Sequence, residues 1–283
     1  MTRRWMIAST LLFGMALVAT PQAFVRAELP ARLTDQQFWQ MVTDFSEPGG
    51  SFRSDNLLSN EIWFQYIVPD LKRDLKAGGV YLGVGPEQNF TYIAALEPKM
   101  VIIFDIRRGN LHTQLMYKAL FALPANRTEF ASLLFSRPLP SVKADPTVQE
   151  LFAALELSAT SEDRYQANFK KLIDQLTKTQ KLPLGQEDID GIEYVYRNFQ
   201  RFGPQINYNS STGGGAGGRG GGKMATYGSL MTADDGQGTM RSYLATDALF
   251  GDMKSLEDRN LVVPVVGDFA APKAIRAVGK YLK

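Results

Sequence analysis

The run VYLGVGPEQNF, Val80 to Phe90, ends an apolar stretch on Gly83 and Gly85, and Asp105 follows Gly85 by twenty residues. These residues suit binding more than bond breaking. A glycine corner at the end of a strand lets a ligand approach the bare backbone, and the next helix offers its N-terminal amides. A carboxylate at the tip of the following strand, about twenty residues on, accepts hydrogen bonds from a ribose. Gln88 and Asn89 join the glycines and Asp105 as candidate cofactor contacts. Glu87 has two open roles: contact with a ligand amino group, or the cap of a helix starting near Pro86.

A second cluster is DIRRGNLH, Asp105 to His112. Arg107 and Arg108 follow the strand directly, at the edge where open α/β sheets bind ligands. Their guanidiniums suit an anionic substrate, Asp105 or Glu87, or a solvated bridge fixing the loop. His112 is the one histidine of the chain and the candidate general base. Asp268 in VVGDFA repeats the pattern of strand, glycine and acid; it either faces the same crevice or caps a helix near Pro272. The polar stretch with Ser54-Asp55-Asn56 and Ser59-Asn60-Glu61 is placed to fold over the site as a lid.

Other chemistries are excluded. With no cysteine there are no disulfides, thiol nucleophiles or thiolate metal sites, and one histidine rules out imidazole-rich ones, so no metal is expected. A G-x-S-x-G elbow is absent. GGRGGGKM has phosphate-loop spacing, but Met224 stands where a hydroxyl must reach magnesium, and no apolar strand precedes it. DDGQG, Asp234 to Gly238, reads as a turn.

The elements that would position these residues follow from periodicity. Hydrophobic content of 45 % with 21 % charge indicates a packed chain. Thr34-x-x-Gln37 marks a capping box before a helix over about 35–46. An aromatic-rich helix spans 62–75, kinked or divided at Pro69. Buried strands are expected at 80–84, 100–106 and 261–266, with helices at 89–96, 111–123 and 274–282. The resulting β-α-β-α order is the spacing of a parallel sheet. Helices at 127–135, 146–157, 161–178 and 187–201 form an insertion over about 125–205, and the glycine-rich loop 209–224 reads as flexible. The expected class is α/β, a Rossmann-like, doubly wound, mostly parallel sheet in one domain over 28–283. Because the chain stops on a helix, it reads as truncated at the C-terminus.

YLGVGPEQNF followed by IIFDIRR resembles motifs I and II of the class I S-adenosylmethionine-dependent methyltransferases. FDIRRGNLHTQLMYKALF, RSYLA and NLVVPVVGDFAAPKAIRAVGKYL are similar to an uncharacterised bacterial family with that fold. The likeness covers roughly residues 33–283 outside the glycine-rich loop. It implies that Gly83 and Gly85 line the methionine part of S-adenosylmethionine and that Asp105 holds the ribose. Tyr81 stands in place of the usual acid and Glu87 in place of the usual third glycine.

The N-terminus carries Arg3 and Arg4 before an uncharged, mostly apolar run from Trp5 to Ala19, which reads as a signal peptide over 1–27. Removing it takes three arginines and no acid, leaving 28 basic against 29 acidic residues. Nothing in that balance favours nucleic acid or a membrane surface. The expected place is periplasmic or extracellular, with a membrane-anchored form as the alternative. The expected partner is a small molecule. Three functions remain open: a methyltransferase-like enzyme, a non-catalytic ligand-binding or scaffold protein, and an NAD-dependent enzyme.

Overall fold

A computed structural model describes residues 28–208, 210 and 224–283. The signal segment and almost all of the glycine-rich loop lie outside the described residues. The described fold is mixed α/β, with a small parallel sheet and many helices.

Helix α1 (Asp35–Phe45) begins as its capping box predicts: Thr34 Oγ1 accepts from the Gln37 amide, and the Gln37 side chain accepts from the Thr34 amide. Residues 46–61 then run over the carboxyl end of the sheet. The Glu47 amide donates to Val266 O at 3.0 Å and the Gly50 amide to Ile106 O at 2.7 Å. The aromatic-rich segment divides at Pro69. Residues 62–67 form turns, and α2 (Val68–Asp74) starts with the proline in its first turn, where a missing N–H costs nothing.

Strands β1 (Val80–Val84), β2 (Met100–Asp105) and β3 (Val262–Val266) occupy the three expected places. Among the described residues they pair only in parallel, in the order β1-β2-β3. Among the described residues the glycine-bearing strand lies at the edge of the sheet, and the order of these three strands contains no reversal beside it. Every residue of β2 and β3 is buried, as the unbroken apolar runs require. In β1, Leu82 and Val84 are about half exposed, so the cover over the sheet stops short of this edge.

Helix α3 (Gln88–Leu96) joins β1 to β2, and α4 (Arg108–Ala122) follows β2. The expected amphipathic helix at 111–123 starts three residues earlier and is buried on all sides from Asn110 to Phe121. Next come α5 (Arg127–Leu134), α6 (Val148–Glu156), α7 (Glu162–Asp174) and α8 (Gln186–Phe202). The last part of the helix expected at 161–178 winds as a π-helix over Gln175–Thr179. Sequence reading missed α9 (Tyr227–Thr232) and α10 (Asp247–Asp258), and α11 (Ala274–Tyr281) closes the chain.

Helix α4 packs against β2, β3, α8 and α10, which explains its burial. Its Lys118 ammonium is enclosed with Glu257 of α10, 3.7 Å from a carboxylate oxygen and 4.3 Å from the centre of the Phe38 ring. Rings of Phe90, Tyr117, Phe121, Phe130, Tyr243 and Phe250 interlock around α4 at centroid separations of 4.8–6.5 Å. This core fixes the helix whose first turn carries Arg108 and His112.

Candidate functional site

The glycine corner forms as the sequence requires, but its two glycines do different work. Gly85 has φ +80°, a left-handed conformation that disfavours a side chain. Among the described residues, chain neighbours aside, the atom near its absent Cβ is Asp105 Oδ2, 4.0 Å away, so Gly85 and Asp105 share one side of the strand ends. At Gly83 a Cβ would fall 2.2 Å from Asn89 Oδ1 and 2.5 Å from the Tyr81 ring. The space beside Gly83 is filled by the protein's own side chains.

Asn89 is the plug. Its amide donates to Pro86 O at 2.7 Å, Val84 O at 3.0 Å and Gly85 O at 3.4 Å, and its oxygen accepts from Tyr81 Oη at 2.7 Å. A residue expected to contact cofactor is instead spent on holding the turn. Gln114 of α4 adds a donor to Gly85 O at 3.2 Å, while its buried Oε1 has no partner among the described residues. Gln88 begins α3, also with a buried Oε1 lacking a partner among the described residues.

Glu87 takes neither expected role. Its backbone is helical (φ −69°, ψ −16°) and its side chain does not cap α3. The carboxyl is fully buried and accepts the Ser59 amide on both oxygens, at 3.1 and 3.2 Å. Burial pushes it up to about 7, moderated by the amides of Ser59 and Glu87 itself. Its neighbours include the enclosed hydroxyls of Tyr117, Tyr227 and Tyr243, which burial raises well above the ordinary tyrosine value.

Asp105 lies at the tip of β2 as predicted, but an internal group occupies its carboxylate. Arg107 Nε donates to Oδ1 at 3.0 Å and Nη2 to Oδ2 at 2.7 Å, and the Arg107 amide reaches Oδ1 at 2.8 Å. The same guanidinium donates through Nη1 to the carbonyls of Ser54, at 3.2 Å, and Asp55. Tyr194 of α8 holds the Asp55 carboxylate at 2.6 Å. The segment expected as a lid is thus fastened across the strand ends, with Arg107 as the fastening.

Arg108 turns the other way. Its Nη2 donates at 2.6 Å to Asp188 Oδ1 of α8, and the same oxygen lies 3.1 Å from His112 Nε2. The His112 bond, the larger cause, and Arg108 together hold Asp188 below the usual carboxylate range. Arg108 Nε is buried with no partner among the described residues. Gly191 completes the arrangement: a Cβ there would fall 2.0 Å from His112 Nδ1. Asp188 and Gly191 were not singled out from the sequence, since nothing local links α8 to α4.

Between these groups lies a cleft of about 390 Å³, lined by Gly50, Asp55, Arg107, Arg108, His112 and Tyr194 among others. Asp268 is not part of it. Its carboxylate accepts from the Ala270 amide at 2.9 Å in an exposed turn, and it does not cap α11.

A family model described as a domain of unknown function (DUF7790) matches residues 56–283. The chain belongs to this family. No curated protein matches it. All three strands, the glycine corner, Asp105, both arginines, His112 and Asp188 fall inside the DUF7790 match. Helix α1 and the Ser54 and Asp55 carbonyls held by Arg107 precede it.

Proposed function

We propose that this DUF7790 protein is a small-ligand-binding protein on a Rossmann-like scaffold, and that its ligand is a compact organic anion held in the cleft at the end of β2. The observation that carries this reading is the unequal use of two adjacent arginines. The Arg107 guanidinium spends four hydrogen bonds on Asp105 and two carbonyls, whereas among the described residues Arg108 bonds only Asp188, keeps further donors and lines the cleft. A carboxylate or phosphate is the natural partner of such a guanidinium. The exported location is part of the proposal, with residues 1–27 as the signal; a reporter fused after Lys283 should appear outside the cytoplasm.

The test is thermal shift of the purified protein with malate, phosphate, adenosylmethionine and NAD. A ligand at tenfold its Kd should add about 1.4 kcal/mol. Stabilisation by a small anion that disappears in Arg108→Ala supports the reading; no shift with any small anion refutes it.

A second reading rests on Gly85. The open position beside Asp105 Oδ2 and the unpartnered Gln114 Oε1 leave room and an acceptor for an adenosyl cofactor, with its ribose replacing Arg107 at Asp105. Methyl transfer is then what the sequence resemblance implies. A shift with adenosylmethionine that Asp105→Ala abolishes would establish this second reading over the first.

A further inference from the structure

The anion-binding reading names the charge of the ligand and leaves its body open. Around Arg108 the wall of the cleft is apolar and aromatic. Phe52 of the 46–61 segment and Tyr194 of α8 both line it, and they are 58 % and 48 % exposed. Leu57 and Val195, both buried, line it as well. The two rings come from separate elements, and each is held in place. The Gly50 amide, two residues before Phe52, donates to Ile106 O at 2.7 Å, and Arg107 holds the carbonyls of Ser54 and Asp55 after it. The Tyr194 hydroxyl is tied to the Asp55 carboxylate at 2.6 Å. Other polar side chains of the wall are engaged within the protein: Asp55 with Tyr194, Arg107 with Asp105, and His112 with Asp188, its Nδ1 edge packed on Gly191. A ligand body rich in hydroxyls would give up water there for rings and occupied groups.

We infer that the ligand is an aromatic carboxylate: its carboxylate meets Arg108, and its ring lies against Phe52 and Tyr194. A flat ring beside aromatic side chains gains from offset-stacked or edge-on contact beyond the area it buries, which a saturated ring of the same size does not. The exposure of Phe52, on a segment fastened on both sides of it, is then accounted for, because the ligand supplies its cover. This inference rests on the anion-binding reading, and its test separates the two.

Affinities of acetate, cyclohexanecarboxylate, benzoate and phosphate are compared by calorimetry on the wild-type protein. The three organic acids share one carboxylate, and two of them add a ring, saturated or aromatic. Benzoate should bind about tenfold more tightly than acetate, from burial of the ring, and about threefold more tightly than cyclohexanecarboxylate, from aromatic contact. Phe52→Leu keeps apolar bulk at an exposed position and removes the ring, so the preference for benzoate over the saturated acid should shrink. Arg108→Ala should abolish binding of all three acids. Equal affinities for acetate and benzoate, a preference for the saturated ring, or a benzoate preference unchanged in Phe52→Leu overturns the inference and leaves anion binding standing. Binding of phosphate but of none of the three acids does the same. Benzoate binding that survives Arg108→Ala, or no binding of any of the four, overturns both.

Discussion

Glu87 gives the sharpest energetic test. It is a carboxyl sealed from water, held by one backbone amide from the 46–61 segment, with no cation among the groups that shift it. Burial raises it from 4.5 to about 7. A carboxyl whose folded-state value exceeds its unfolded value favours the folded state while protonated. Its contribution is fully present below about pH 4.5 and is lost as pH rises through about 7. A shift of about 2.5 units at 1.36 kcal/mol each makes the loss about 3 kcal/mol. Glu87→Gln keeps the shape of the protonated acid and removes the titration. The stability of the variant relative to wild type should therefore rise by about 3 kcal/mol between pH 4 and pH 8, a shift of roughly 1 M in urea midpoint at an m-value near 3 kcal/mol/M.

The difference between the two proteins is what must be measured. Glu257 is also raised to about 7 by burial, and its neighbour Lys118 is lowered by the same cause, so wild type alone has several titrating core groups. These cancel when variant and wild type are compared at each pH by urea unfolding. A difference that stays flat from pH 4 to pH 8 refutes the assignment of Glu87 as a buried, raised acid. A difference that falls with pH would mean that an unseen partner holds the carboxylate charged.

Two further outcomes follow from the site. Arg107→Ala should cost about 3–5 kcal/mol by leaving Asp105 buried without its partner, and should speed protease cleavage within residues 46–61; unchanged cleavage would mean the segment does not depend on Arg107. Gly191→Ala should destabilise by about 1–3 kcal/mol despite the better helix propensity of alanine, because the methyl would overlap the His112 ring; a stabilised variant with an unshifted His112 resonance would contradict the packing.

What could be read from the chain was what local pattern decides. The three strands sit where unbroken apolar runs end in glycine or acid, and Asp105, Arg107, Arg108 and His112 gather at one sheet end because they follow one strand. Helix α10 escaped because its apolar stripe is only Phe250, Met253 and Leu256, and Gly251 on the exposed face lowers the helix propensity of the segment. Strand order was not legible, since parallel pairing is settled by long crossovers and not by the strands themselves. The Asp188–His112 contact joins residues 76 apart and exists because α8 lies along α4. Glu87 misled for another reason: next to Pro86 it looks like a helix cap, but its helical backbone sends the carboxyl into the core.

The two readings of the site differ in cost, and magnitude separates them. A ribose that takes Asp105 must first displace Arg107, leaving a guanidinium whose other bonds hold the Ser54 and Asp55 carbonyls. Breaking a buried pair of this kind costs about 3–5 kcal/mol, which lowers affinity by roughly two to three and a half orders of magnitude unless the ligand restores equivalent bonds. An anion arriving at Arg108 faces no such exchange. Among the described residues that guanidinium bonds only Asp188, and its side chain is 42 % exposed against 9 % for Arg107. The ligand the protein can take without rearranging is therefore one that adds to Arg108, and any molecule found at Asp105 must also bring enough contacts to move the 46–61 segment off the strand ends.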